Sequence, residues 1–276
     1  MSSSPLPSHP LLDALWAPYG ADVEYVQRFS ALWATHVGPR FENDHIALRT
    51  IARGGDGSGL AVFVPVFERL GWVVRDRYTF DDVHLRAVYL AQPGLPRVFV
   101  SELDVSALAN DVRAAIARAP ADEAAPVVTD ASDAKGIAAL ARWFCAPPPP
   151  ERADVELVAR ASQYGAWCLC FGRRVNHFTA AVDDVALWQE RMRAAGVPMK
   201  AEIEGAPVPA GGVGLRQTAT AAADVEVVFA DGTKAKKPYA YFEIAERQGG
   251  FDGFLSQQAR QLFDQTRVDA ASAQRR

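Results

Sequence analysis

The sequence predicts an α+β protein built from two βαβββ modules, with further helices added around them. Three observations carry that reading. The order strand, helix, three strands is met twice along the chain, each copy opens on a strand holding a histidine and closes on one holding a glutamate, and four prolines, 147 to 150, stand between the copies. The repeat is one of architecture and not of identity. At 276 residues the chain exceeds the roughly 100–150 of a common domain, so two modules fit its length.

The elements follow in order. Between Asp22 and His36, Val23, Val26, Phe29, Leu32 and Trp33 fall at helical spacing, and Gly38 with Pro39 stops the helix. His45 to Ile51 then alternates as a strand. A glycine-rich turn, RGGDGSG, leads into Leu60–Leu70, where Leu60, Val64, Phe67 and Leu70 recur at helical intervals around Pro65. Three strands begin at Trp72, His84 and Arg97, separated by Asp81-Asp82 and by the Pro-Gly-Leu-Pro turn. The alanine-rich stretch from Ser106 to Arg160 is helical in pattern. RVNHFTAAV, from Arg174, opens the second copy as a strand, and Asp183 or Asp184 caps a helix whose Val185, Trp188, Met192 and Ala195 share a face. Gly196 and Pro198 end it. A short segment at Ala201–Glu204, the stretch GLRQTATAAADVEVVFADG and the strand PYAYFEIAER complete the copy. The expected organisation is thus a helical extension over 1–40, a first module over 41–105, a helical insertion over 106–172, a second module over 173–247 and a C-terminal helix over 248–276.

Composition narrows the function classes. Hydrophobic residues make up 49%, charged residues 22%, and the formal charge is −4, a balance of ordinary globular proteins. No basic surplus points to nucleic acid. The opening MSSSPLPSHP lacks the pattern of a secretory signal, and no run of about 18 apolar residues offers a membrane span, so a cytoplasmic location without a membrane partner is expected. Cys145, Cys168 and Cys170 are an odd number and read as reduced thiols, the last two as small buried side chains. His9 reads as part of a flexible start, His36 as a helix end, His84 as a solvated strand end, and Lys234, Lys236 and Lys237 as a solvated hairpin tip.

The chemistry lies in polar residues on apolar strands. Strand side chains alternate, so His45, Ala47 and Arg49 share one face of their strand, with the Cα atoms of His45 and Arg49 about 13 Å apart. That interval suits a small dicarboxylate reaching Arg49. The same parity puts His177 and Thr179 on one face, and Tyr239, Tyr241 and Glu243 on another. An inward carboxylate such as Glu243 needs a cation or strong donors, and a metal would satisfy it. Two imidazoles and one carboxylate form the facial triad met in non-haem Fe(II) sites that activate oxygen. A glyoxalase-like site instead takes a fourth protein ligand, which the repeat offers as Glu102.

With "DHIALRT" and "VNHFT" on their opening strands, the paired modules look like the vicinal oxygen chelate superfamily. More narrowly, "NDHIALRT", "LPRVFVSEL", "GLRQTAT" and "YAYFEIAERQGGFDGF" resemble the 2-oxoadipate dioxygenase/decarboxylase family, over roughly residues 20 to 265. The resemblance implies Fe(II) bound by His45, His177 and Glu243, with Arg49 gripping a substrate carboxylate. It implies conversion of 2-oxoadipate and O2 to 2-hydroxyglutarate and CO2, a reaction of lysine catabolism. Within that family Glu102 is not the third protein ligand, so it is kept here as a supporting residue; Arg216 and Gln217, on the adjacent strand, are further pocket candidates. Longer members carry an additional C-terminal region that helps shape the pocket. Two rival readings stand beside it: a metal-dependent isomerase or lyase using Glu102 with Zn(II) or Ni(II), and a metal-free small-molecule binding module.

Overall fold

Two helices precede the first strand. α1 (Pro10–Asp22) starts on Pro10, whose missing N–H is no loss in the first turn, and buries Leu11, Leu12, Leu15, Trp16 and Tyr19. α2 (Tyr25–His36) buries Val26 and Phe29, as the helical spacing predicts. Within the helical extension expected over 1–40 the spacing located only α2, and α1 corrects the reading of a flexible start around His9: the Nδ1 of buried His9 accepts the Leu11 N–H at 3.2 Å, and its ring packs edge-on against Trp72 at 4.8 Å. The computed structural model describes residues 4–53, 58–119, 124–207, 209 and 212–254. The expected C-terminal helix FLSQQARQLFDQ lies, beyond Phe254, outside the described residues, as does most of the RGGDGSG turn.

The first copy comprises β1 (Asn43–Ala52), α3 (Leu60–Arg69), β2 (Val73–Phe80), β3 (Leu85–Ala91) and β4 (Arg97–Asp104). Four helices follow: α4 (Asn110–Arg118), α5 (Ala134–Cys145), α6 (Arg152–Ala161) and α7 (Gln163–Phe171). The second copy holds β5 (Val175–Ala181), α8 (Val185–Ala194), β6 (Gly214–Ala219), β7 (Ala223–Val228) and β8 (Lys234–Gln248). All eight strands belong to one mixed sheet with the order β2-β3-β4-β1-β5-β8-β6, and β7 pairs with the earlier part of β8. Bridges Met199–Thr220 and Glu204–Gln217 set the segment before β6 against its free edge, where the sequence placed a short segment at Ala201–Glu204. Counted outward from the antiparallel β1–β5 seam, one side runs β1-β4-β3-β2 and the other β5-β8-β6, with β7 on the earlier part of β8.

Parity divides the sheet into two faces. Ile46, Leu48, Phe178 and Phe242 point toward α1 and α2, where Trp16 meets Phe178 at 5.0 Å and Phe29 meets Phe242 at 4.9 Å. These aromatic contacts pack the Phe178 and Phe242 side of the seam against the two helices. The residues one position away, His45, His177 and Glu243, must therefore point to the other side. α7 packs beside β1 and brings Tyr164 and Trp167 to that side. Cys168 and Cys170 are buried within α7, and burial pushes the Cys170 thiol up to about 12, so it remains a neutral small side chain.

Candidate metal centre

The seam brings the sequence's three candidates together. His45 pairs with Thr179 across β1–β5, and Thr179 pairs with Glu243 across β5–β8; His177 lies one step along, opposite Ala47 and Tyr241. His45 Nε2 stands 3.3 Å from Glu243 Oε1 and 3.4 Å from His177 Nε2, and His177 Nε2 is 4.0 Å from the same carboxylate oxygen. Each of the three is about 1% exposed. Among the described residues they form the one group of His, Cys, Asp and Glu side chains with metal-ligand spacing. Ligands about 2.1 Å from one ion at right angles stand about 3 Å apart, so this donor set needs only a slight contraction to hold a divalent cation. The residues present fit a metal.

The second layer fixes which nitrogen is offered. His45 Nδ1 donates to Asp44 Oδ1 at 2.7 Å, and His177 Nδ1 lies 3.1 Å from Asn176 Oδ1, so both rings present Nε2 on the Glu243 side. Thr179 Oγ1 donates to Glu243 Oε1 at 3.1 Å and also touches His45 Nε2 at 3.1 Å. Burial tends to raise the Asp44 carboxyl, but the His45 hydrogen bond and the Arg247 guanidinium outweigh it and hold it well below the usual carboxylate range. Burial likewise tends to lower His45, yet the Asp44 and Glu243 carboxylates raise it. His177 is held well below the ordinary imidazole value by burial, then by the positive charges of His45, Arg49 and Lys200.

Around this core the other candidates separate by parity. Arg49 is buried on the cluster's side, its guanidinium carbon 5.2 Å from the Tyr164 ring and 5.1 Å from Trp167, so two aromatic faces hold it in place. Gln217, opposite Ala245 and thus on the Glu243 side of the sheet, gives its Nε2 to Glu204 at 3.3 Å and leaves Oε1 buried without a hydrogen bond. Glu204 in turn is clamped by Lys200 at 2.7 Å, and burial raises its carboxyl despite that partner. Phe254 covers His45 edge-on at 4.8 Å and packs on Tyr89 and Phe99.

Two expectations are corrected. Glu102 stands next to Thr50, on the face opposite the cluster; its Oε2 accepts the Leu60 N–H at 2.8 Å at the start of α3 and its Oε1 pairs with Arg86 at 2.9 Å. It caps a helix and supplies no fourth ligand. Gly59 makes room for it, since with φ at 66° a Cβ there would lie 2.2 Å from Glu102 Oε2. Arg216 pairs with Glu246 at 3.2 Å, and Glu246 also accepts the Val185 N–H that opens α8, so Arg216 serves the helix side of the sheet. Sequence reasoning missed Asp44, Arg247 and Phe254 altogether. The motif NDHIALRT contained Asp44, and an acid next to a ligand histidine was the available signal.

Residues 28–276 match the family model of 2-oxoadipate dioxygenase/decarboxylase. A chloroplastic 2-oxoadipate dioxygenase/decarboxylase of Arabidopsis thaliana is 30% identical over 225 residues, covering 74% of this chain and 58% of the plant protein. The chain thus spans less than two thirds of that relative's length. Among solved structures, a glyoxalase superfamily protein from Ralstonia eutropha JMP134 is 27% identical, with a TM-score of 0.74 over 88% of this chain and 85% of its own. The hydroxyglutarate synthase of Oryza sativa, solved with 2-oxoadipate, shares the fold with a TM-score of 0.76 over 98% and 96% of the two chains at 23% identity.

Proposed function

Because the chain belongs to the 2-oxoadipate dioxygenase/decarboxylase family, we propose that it is an Fe(II)-dependent enzyme converting 2-oxoadipate and O2 to 2-hydroxyglutarate and CO2. The observation that carries this reading is the buried meeting of His45, His177 and Glu243, with buried Arg49 four residues along β1 from His45. An Fe(II) ion held by those three side chains would supply open positions for a chelating 2-oxo acid and the redox capacity to activate dioxygen.

The chain's own residues account for the rest. The Arg49 fork takes the far carboxylate of a dicarboxylic acid in two parallel hydrogen bonds, and its aromatic neighbours fix its direction. Ala47, between His45 and Arg49 on the same face, leaves the interval open for the methylene chain. Asp44, Asn176 and Thr179 hold the donor atoms of the triad in position, so little reorganisation is needed when substrate arrives. Phe254, Tyr89 and Phe99 keep water from the His45 side. Holding the substrate at both ends confines oxidation to one carbon of the shortened chain.

The test mixes iron-loaded protein with 2-oxo acids of different length and charge without oxygen, then admits air and follows oxygen uptake and product mass. One O2 consumed per CO2 and 2-hydroxyglutarate formed is the expected result. Turnover of a substrate without oxygen uptake would overturn the reading.

A further inference from the structure

We propose that the Tyr241 hydroxyl is a substrate-binding group, donating a hydrogen bond to the metal-chelating head of the 2-oxo acid. This rests on the function proposed above and adds a residue to it. Tyr241 is fully buried, and its hydroxyl oxygen has no hydrogen-bond partner; among the described residues no other fully buried side-chain hydroxyl is left so. The neighbouring hydroxyls on this side are occupied: Thr179 donates to Glu243, and Ser101 and Tyr164 bond each other at 2.8 Å while Tyr164 also donates to the Ser101 carbonyl.

Tyr241 cannot swing away to find another partner. Its ring stacks on His177 with centroids 4.7 Å apart and planes 28° from parallel, and its carbonyl accepts the Tyr19 hydroxyl at 2.5 Å. Its position selects the ligand. Tyr241 is the register partner of one metal-binding candidate, His177, and stands two residues from another, Glu243, on the same face of β8. Arg49 serves the far end of a diacid, so the group beside Tyr241 is the head, whose oxo and carboxylate oxygens accept hydrogen bonds. A buried donor left open in the free protein, and fixed by stacking, is preorganised for such an acceptor.

Tyr241→Phe removes one oxygen and keeps the ring on His177. Iron content and melting temperature are expected to stay at or above wild type, because an unsatisfied buried hydroxyl is lost. Anaerobic titration of the Fe(II) protein is expected to show about 10-fold weaker binding of both 2-oxoadipate and 2-oxobutyrate, which share the head. Binding of glutarate, which has no oxo group, is expected to be unchanged. A variant that binds both 2-oxo acids as wild type does would overturn the role of the hydroxyl, while wild-type oxygen uptake with 2-oxoadipate would leave the parent reading standing. A wild-type protein that neither binds 2-oxoadipate nor consumes oxygen would overturn both. A fall in melting temperature with unchanged binding would make the hydroxyl structural and overturn the proposal as well.

Discussion

Asp44 and Arg247, 203 positions apart, meet in a two-pronged ion pair directly behind His45, with Nε to Oδ2 at 2.6 Å and the second nitrogen to Oδ1 at 2.9 Å. Arg247 also donates to the Phe251 and Gly253 carbonyls, so one guanidinium ties the residues before Phe254 to the acid that orients a metal-binding candidate.

Asp44→Asn is expected to keep the shape and lose the charge behind His45. Metal affinity should fall about 10- to 100-fold, the range for losing such a partner, as measured by competition with a chelator. An unchanged affinity would show that Asp44 does not orient the ligand.

The same carboxylate predicts a pH dependence. Its value is depressed in the folded state, so its contribution to stability is fully present above the unfolded carboxyl value of about 3.9 and is lost as pH falls toward the lower folded value. Denaturant midpoints measured below about pH 4 should fall less steeply in Asp44→Asn than in the wild type. Parallel curves would contradict the assignment.

His177→Ala removes a metal-binding candidate from a strand that otherwise packs through Phe178. Bound metal and oxygen uptake should both drop to background, read by elemental analysis and an oxygen electrode. Full iron content in this variant would disprove the centre.

Arg49→Lys retains a positive charge and discards the fork. Iron content should be unchanged, while kcat/KM for 2-oxoadipate falls about 10- to 100-fold, the equivalent of about 1.5–3 kcal/mol for a hydrogen bond to a charged group. Monocarboxylic 2-oxo acids should be much less affected; equal losses would argue against a contact with the far carboxylate.

Glu102→Gln separates helix capping from coordination. It should leave metal content intact and lower stability by about 1 kcal/mol, since the partner Arg86 is half exposed and the pair is screened by solvent. Loss of metal would restore Glu102 as a ligand.

Much of this was legible in the chain itself. His45, His177 and Glu243 could be set on one side of a sheet because strand periodicity is two, and buried polar residues in apolar runs stand out against it. Glu102 went astray although the same parity was available: Val98, Val100 and Glu102 alternate with Phe99 and Ser101, and it is Ser101 that pairs with Arg49 on the cluster's side. The architectural repeat drew it toward the site instead. α1 was hidden because its start is polar and its burial depends on distant partners such as Trp72 and Phe178. The Asp44–Arg247 pair has no periodicity to betray it, since only the folded sheet brings its two members near each other.

The β1–β5 seam joins strands separated by more than a hundred residues, and it places one imidazole on either bank. Neither half of the polypeptide can therefore grip an ion alone. A bound cation would act as a rivet through the joint, so release on warming should accompany parting of the halves and not fraying of the outer strands, and added metal should raise the temperature at which they separate.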